Sequence, residues 1–214
     1  MERVQQIDPD HPDRKLLARA AELLRKGLLV AYPTETFYGL GALPRDTAAV
    51  DRIFIAKGRP EKLALPLIVG DEESVTICAR EFPEGARRLA AAFWPGPLTL
   101  VLPAAEDLPP RLLGGGFSVG VRVSPHPVAI GLARAVGGPI IATSANLSGQ
   151  PAPSTAAEVD QVLGDHVALI LDGGPTLGSA ASTVLDLTSE PPRVIRSGAV
   201  PLAELERVLG TRIA

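Results

Sequence analysis

Apolar positions along this chain fall into two patterns that alternate from one end to the other. Between Asp13 and Lys26, Leu16, Leu17, Ala20, Leu23 and Leu24 recur at three- and four-residue spacing, while Arg14, Lys15, Arg19 and Glu22 fall elsewhere. That spacing predicts an amphipathic helix, closed by Gly27 in the left-handed conformation. Leu28–Tyr32 is a short apolar run halted by Pro33, the mark of a buried strand. Asp46 then caps a second helix carrying Val50, Ile53 and Phe54, which stops near Gly58. Further strands are predicted at Leu65–Val69, Leu98–Leu102, Val119–Val123, Ile140–Thr143, Val167–Leu171 and Thr183–Leu187. Helical spacing covers Gly85–Phe93, Val128–Val136 and Thr155–Leu163, with a last amphipathic helix over Leu202–Leu209 after Pro201. The Gly114-Gly115-Gly116 run and Ser148–Ser154 read as surface loops. Interleaved strands and helices give an α/β fold. Not every crossover is helical, so the sheet is expected to be mixed.

Composition narrows this picture. The 214 residues suffice for one sizeable core, and no linker divides them, so a single domain over 1–214 with its core at about 13–210 is expected. Aromatic residues make up only 4%, so Val, Ile, Leu and Ala must fill most of the interior. The 21 prolines and 21 glycines recur as punctuation between apolar runs, which argues for many turns and against disorder. A net charge of −3 excludes a global attraction to nucleic acid, leaving only a local basic cluster to hold a polyanion. Cys78 is the lone cysteine, among Val75, Thr76 and Ile77, and reads as a buried, inert thiol in a reducing compartment. The start of the chain lacks the apolar core of a signal peptide, and no apolar run approaches membrane-spanning length. A cytoplasmic protein with no membrane partner is expected.

Four polar clusters stand next to predicted strands, where open α/β sheets form their ligand crevices. In Tyr32–Gly41, hydroxyls at Thr34, Thr36 and Tyr38 flank glycines that allow close backbone approach. Taken alone, the stretch reads better as a Pro-initiated turn. In Ile55–Lys62 the cations Lys57, Arg59 and Lys62 fall within six residues at a helix end. They suit a solvated helix terminus and a triphosphate equally. In Ile140–Gly149 an apolar strand runs into Thr143, Ser144, Asn146 and Ser148, which can cap a turn or serve a nucleotide. The fourth cluster, Ser179–Val184, pairs hydroxyls at a strand start and is followed by Arg193 and Arg196.

Other chemistries find no support. There is no Gly-x-x-x-x-Gly-Lys-Ser/Thr loop and no Gly-x-Gly-x-x-Gly signature. His11, His126 and His166 lack metal-ligand spacing, so no protein-held metal is expected. His126, in Ser-Pro-His-Pro, reads as a helix-opening residue. No serine sits in a nucleophile elbow.

In series, Tyr32–Gly41, Lys57–Pro60, Pro95–Thr99, Thr143–Gly149 and Ser182-Thr183 resemble the YrdC/Sua5 family of threonylcarbamoyl-AMP synthases, from about Leu16 onward. The chain is similar to the short form that lacks the extra C-terminal domain of Sua5. The resemblance implies a twisted open mixed sheet with helices around a concave, positively lined cavity. It implies an enzyme of the nucleotidyltransferase type, making threonylcarbamoyl-AMP and pyrophosphate from L-threonine, bicarbonate and ATP. The product would serve threonylcarbamoyladenosine formation at position 37 of tRNAs. By position, Thr34, Arg122 and Ser182 would meet threonine; Lys57, Arg59, Lys62, Ser118, Ser144, Asn146 and Arg196 would meet ATP. Lys57 and Arg59 would carry the electrostatic catalysis. Mg²⁺ would come with ATP, no cofactor would be tightly bound, and a separate transferase complex would take the product. A weak contact with tRNA or other double-stranded RNA is a further implied partner.

The sequence departs from the family pattern at Leu63, where a lysine is usual and Lys62 stands one residue early. It departs again at Ser124-Pro125, in place of Pro-Asp after Arg122, and at Ala152, in place of a serine. Two alternatives remain open on the sequence: a YciO-type paralogue of unknown activity, favoured by Leu63, and a non-catalytic RNA-binding module. A carbamoyl-transferring relative is a third, though such chains are usually fused to other domains.

Overall fold

The computed structural model describes residues 2–178 and 181–214; Ser179 and Ala180 of the fourth polar cluster lie outside them. The first helix, α1 (Arg14–Arg25), starts where the Asp13 carboxylate accepts from the Lys15 amide, and buries Leu17, Ala20, Ala21 and Leu24. Asp46 opens α2 (Thr47–Lys57) in the same way through the Ala49 amide, and Gly58 closes it at φ 55°. A side chain at Gly58 would be strained in that left-handed turn, which sends the chain directly into Arg59. The helices α3 (Glu84–Phe93), α4 (Pro127–Val136), α5 (Ala156–Leu163) and α6 (Leu202–Leu209) lie where the apolar spacing predicts them. His126 is the N-cap of α4, its Nδ1 accepting from the Val128 amide. None of these helices is long and apolar enough to cross a membrane.

Eleven strands among the described residues form two mixed sheets: β1 (Val4–Gln6), β2 (Val30–Pro33), β3 (Tyr38–Gly41), β4 (Leu67–Ile68), β5 (Leu98–Pro103), β6 (Ser118–Arg122), β7 (Ile140–Ile141), β8 (Thr143–Ser144), β9 (Leu169–Asp172), β10 (Thr183–Asp186) and β11 (Arg193–Arg196). The smaller sheet has the order β1-β9-β2-β3-β8 and the larger β11-β10-β5-β6-β4-β7. Parallel and antiparallel pairs alternate in the larger sheet, as β10 with β5, β5 with β6 and β6 with β4 show.

Three strand expectations need correction. Tyr38–Gly41, read as part of a loop, is a strand antiparallel to β2, and β2 includes Pro33, paired with Tyr38. The segment Ile140–Thr143, expected as one strand, divides: β7 closes the larger sheet and β8, which runs on to Ser144, the smaller, with Ala142 between them. The chain crosses from one sheet to the other at Ala142, whose amide donates to the Pro66 carbonyl. The edge strands β1 and β11 escaped prediction because Val-Gln-Gln and Arg-Val-Ile-Arg carry too few apolar positions to show a buried face.

The larger of two apolar clusters joins α2, α3 and α6 to the strands through Val50, Ile53, Leu89, Leu98, Leu100, Val121 and Leu205. The second packs α1 on α4 over β2 and β9, through Leu17, Leu24, Val30, Leu132 and Leu169. Cys78 belongs to the larger cluster at 0% exposure, and burial pushes its thiol up to about 12, so it stays protonated.

Candidate active-site cavity

The two sheets face a common cavity of about 550 Å³, and the side chains reaching it arrive by distinct routes. In β6 the odd and even positions separate cleanly: Val119 and Val121 are buried, while Ser118, Gly120 and Arg122 turn to the cavity. On the neighbouring β5, Thr99 and Val101 share that face. At β11 two consecutive residues, Ile195 and Arg196, both line the cavity. Simple alternation forbids this, but the pairing of β10 with β11 slips between Val184 and Leu185, leaving Ile195 as the extra, bulged residue.

Thr34–Phe37 is the turn of the β2–β3 hairpin, closed by the Thr34 amide donating to the Phe37 carbonyl at 3.2 Å. The Thr34 hydroxyl reinforces it, donating to the same carbonyl at 2.6 Å and accepting from the Thr36 and Phe37 amides. The turn reading and the ligand reading of this cluster therefore coexist, since Thr34 and Thr36 both line the cavity.

Three guanidinium groups face the same space, those of Arg59, Arg122 and Arg196. Arg59 donates to the carbonyls of Leu63 and Ala64, which folds its own loop around it. Arg196 donates to the Ser182 carbonyl at 2.9 Å and to the Ser182 hydroxyl at 3.0 Å; that hydroxyl also meets Thr99 Oγ1 at 3.0 Å. Arg122 pairs with Glu35. Burial lowers Arg59, and burial followed by the like charge of Arg122 lowers Arg196, yet a guanidinium keeps its proton at neutral pH. The cavity is cationic on a chain of net negative charge.

Of the predicted site residues, Thr34, Arg59, Ser118, Arg122, Ser144, Ser182 and Arg196 come together around this cavity. Lys57, Asn146 and Lys62 do not line it. Lys57 is 2% exposed, and its Nζ donates to the carbonyls of Ser144 and Asn146 at 2.5 and 2.6 Å and to Asn146 Oδ1 at 3.2 Å. Burial, then the charge of Arg59, pull it down to about 8, so at neutral pH the ammonium predominates and supplies three donors to three acceptors. Asn146 is equally committed: Oδ1 accepts from the Ser144 hydroxyl, and Nδ2 donates to the carbonyls of Leu147 and Gln150. Lys57 and Asn146 thus form a clasp behind the wall that carries Ser144. Lys62 and Leu63 are exposed in the loop that Arg59 folds. The sequence reading singled out Thr36 in the first cluster without assigning it a substrate, missed Thr99 and Ile195 as lining residues, and gave Glu35 no role at the site. Alternation along β5 would have pointed to Thr99; nothing local marks the bulge at Ile195.

A family model described as Sua5_yciO_yrdC, telomere recombination, matches residues 22–198. The chain belongs to this family. Over 191 residues it is 47% identical to the threonylcarbamoyl-AMP synthase of Pyrococcus abyssi (strain GE5 / Orsay), covering 89% of this chain and 56% of that one. The crystal structure of P. abyssi Sua5 complexed with L-threonine superposes with a TM-score of 0.92 at 43% identity, covering 99% of this chain and 62% of the other. E. coli YciO follows at a TM-score of 0.85 and 32% identity, covering 94% of this chain and 98% of its own. The chain thus spans a little over half the length of the P. abyssi relative.

Proposed function

We propose that this chain makes threonylcarbamoyl-AMP and pyrophosphate from L-threonine, bicarbonate and ATP. The observation that carries the reading is the convergence of three guanidiniums and a set of neutral hydroxyls on one cavity between two sheets. It is supported by the names of the relatives, synthases of that adenylate among them. Arg122 would clamp the threonine carboxylate through paired N–H groups, with Thr34 and Ser182 beside it. Arg59, Arg196, Ser118 and Ser144 would receive ATP.

In the reaction, the threonine amine bonds to the carbon of bicarbonate with loss of water. An oxygen of the resulting carbamate then attacks the α-phosphorus, and pyrophosphate leaves. The carbamate is short-lived in water, so the site must hold it in line with the α-phosphate and keep water away. Leu65, Pro66, Val101, Val184 and Ile195 give the cavity apolar wall between its cations. Charge gathering on the departing pyrophosphate would be offset by Arg59 and Arg196. Among the described residues no cluster of three His, Cys, Asp or Glu side chains could hold a metal ion. Mg²⁺ would enter as part of the nucleotide substrate. Lys57 and Asn146, assigned to ATP by resemblance, would act by shaping the wall at Ser144. The labile adenylate calls for a separate cytoplasmic transferase to carry its threonylcarbamoyl group to position 37 of tRNA. The cavity arginines are the local basic cluster through which weak RNA contact would occur.

The test is incubation of the purified protein with ATP, labelled bicarbonate and L-threonine. Pyrophosphate release should depend on threonine, and label should appear in a carbamoyl-adenylate. Arg59→Ala should slow release at least tenfold, a barrier increase of about 1.4 kcal/mol or more. Threonine-independent release would sink the proposal, as would salt-sensitive RNA binding without turnover.

A further inference from the structure

The Arg122 guanidinium is gripped from behind. Its Nη1 donates to Glu35 Oε1, and the pair is largely sequestered, with side-chain exposures of 11% and 18%. The other carboxylate oxygen, Glu35 Oε2, accepts from the Ser124 hydroxyl at 2.7 Å. Ser124 is 0% exposed, and its oxygen accepts in turn from the His126 amide at 3.2 Å. His126 opens α4 and is fixed there by its own cap to Val128. A chain of contacts therefore runs from a helix terminus, through a buried hydroxyl and a carboxylate, to the cation at the cavity wall. Glu35 itself does not line the cavity, although Thr34 and Thr36 on either side of it do.

We propose that Glu35 and Ser124 are positioning residues, which lock the Arg122 guanidinium in the plane that offers its free N–H edge to the carboxylate of the amino-acid substrate. This rests on the reading of Arg122 as the carboxylate clamp. An arginine has five donors in a rigid plane but a long flexible stem, so a clamp works only when the plane is fixed in advance. Glu35 fixes one edge, and Ser124 stops the carboxylate from rotating with it. Charge alone argues the opposite sign. A carboxylate beside Arg122 partly neutralises it and repels an incoming carboxylate, so removing Glu35 would tighten substrate if only Coulomb attraction mattered. The two accounts thus predict changes in opposite directions.

The experiment compares Glu35→Ala, Glu35→Gln, Ser124→Ala and Arg122→Met with the parent chain. It measures KM for threonine and for ATP, kcat, and threonine binding by calorimetry. Glu35→Ala should raise the threonine KM and Kd about tenfold, equivalent to about 1.4 kcal/mol, with ATP KM changed less than about twofold. Ser124→Ala, which leaves every charge in place, should raise threonine KM about threefold. Glu35→Gln keeps an acceptor for Arg122 and should fall between the parent and Glu35→Ala. Unchanged or tighter threonine binding in Glu35→Ala and Ser124→Ala overturns the proposal, and so does an equal rise in both KM values, which marks loss of folding support alone. If Arg122→Met loses threonine while the Glu35 and Ser124 variants match the parent, the clamp stands and the positioning role falls. If Arg122→Met leaves threonine KM unaltered, the clamp reading fails and takes the positioning pair with it. Should Glu35→Ala not fold, Ser124→Ala decides the matter, since it removes one buried hydroxyl, with its bonds to Glu35 and the His126 amide, and leaves every charge in place.

Discussion

On one side of the cavity, Ser118 and Arg122 reach the ligand space because they share a face of β6, and a sheet register once formed leaves them no alternative. On the other side, Arg59 sits on irregular backbone and Ser144 ends the two-residue strand β8, and beyond that short ladder the side chains of Lys57 and Asn146 hold the chain. There Lys57 ties the Ser144 and Asn146 carbonyls together, and Asn146 bridges to Leu147 and Gln150. Arg111 ties Glu61, in the Arg59 loop, to Asp51 on α2. The strand wall takes its placement from the sheet register, with the Arg122–Glu35 pair as its buried polar support. The loop wall concentrates its stability in polar residues that never touch the cavity. The two walls should therefore fail differently when mutated.

The largest difference is expected at Lys57. Lys57→Met keeps the apolar stem but leaves the Ser144 and Asn146 carbonyls without their donor in a site 2% exposed. The loss should be about 2–3 kcal/mol in urea unfolding, since buried acceptors that lose a charged donor are costly. Turnover should fall at least tenfold because Ser144 moves with its backbone. Lys57→Arg should not rescue either quantity, as a planar fork cannot reproduce three donors on one nitrogen in so tight a space. By contrast, Arg59→Ala should lose turnover with little change in stability. Equal stability losses in Lys57→Met and Arg59→Ala would erase the distinction between a clasp and a ligand-facing cation.

The strand wall has its own sensitive point, and it is a backbone contact. A Cβ on Gly198 would lie 2.2 Å from the Ala181 carbonyl oxygen and 2.5 Å from the Ser182 carbonyl carbon. The Ala199 amide donates to that same Ala181 carbonyl at 3.1 Å, so the two segments cannot part without losing a hydrogen bond. Gly198→Ala should cost about 2 kcal/mol, near the middle of the range for overpacked sites. It should also shift Ser182, which holds Arg196. The check is thermal unfolding beside ATP and threonine KM values; a neutral substitution would show that this wall is looser than its register suggests.

How much of this was legible beforehand follows from the same division. The helices were readable because caps such as Asp13 and Asp46 and three-to-four spacing are local signals. Most central strands were readable as apolar runs, and alternation could place Ser118 and Arg122 on one face. The loop wall was not readable in detail. Nothing within the sequence around Lys57 says whether its ammonium meets a phosphate or the carbonyls of residues nearly ninety positions away, because that depends on long-range packing. Ser124 illustrates the point: it registers in the sequence only as a departure after Arg122, and only the fold shows its hydroxyl on Glu35. Splitting Ile140–Ser144 between two sheets was equally invisible, since both halves are apolar or β-favouring and the crossing at Ala142 carries no turn residue.

The smallest expected effect concerns the far anchor of the loop wall. The stretch that begins at Ser144 ends where Thr155 and Glu158 form a capping box at the start of α5. The Glu158 carboxylate accepts from the Ser154 amide at 2.6 Å and the Thr155 amide at 3.2 Å, while the Thr155 hydroxyl accepts from the Glu158 amide at 3.2 Å. Thr155→Ala should cost about 1 kcal/mol, as loss of an N-cap hydroxyl usually does. Glu158 carries a pH signature instead. Its hydrogen bond from the Ser154 amide, with others from Thr155 and the Ser154 hydroxyl, holds its carboxyl below the ordinary 4.5 despite slight desolvation. A depressed acid contributes stability that is fully present above its unfolded pKa and lost as pH falls through the folded one. Glu158→Gln should therefore be less stable than the parent at pH 7, and the two should converge as pH drops below about 4. If the gap persists in acid, the carboxylate charge is not what anchors this end of the loop wall.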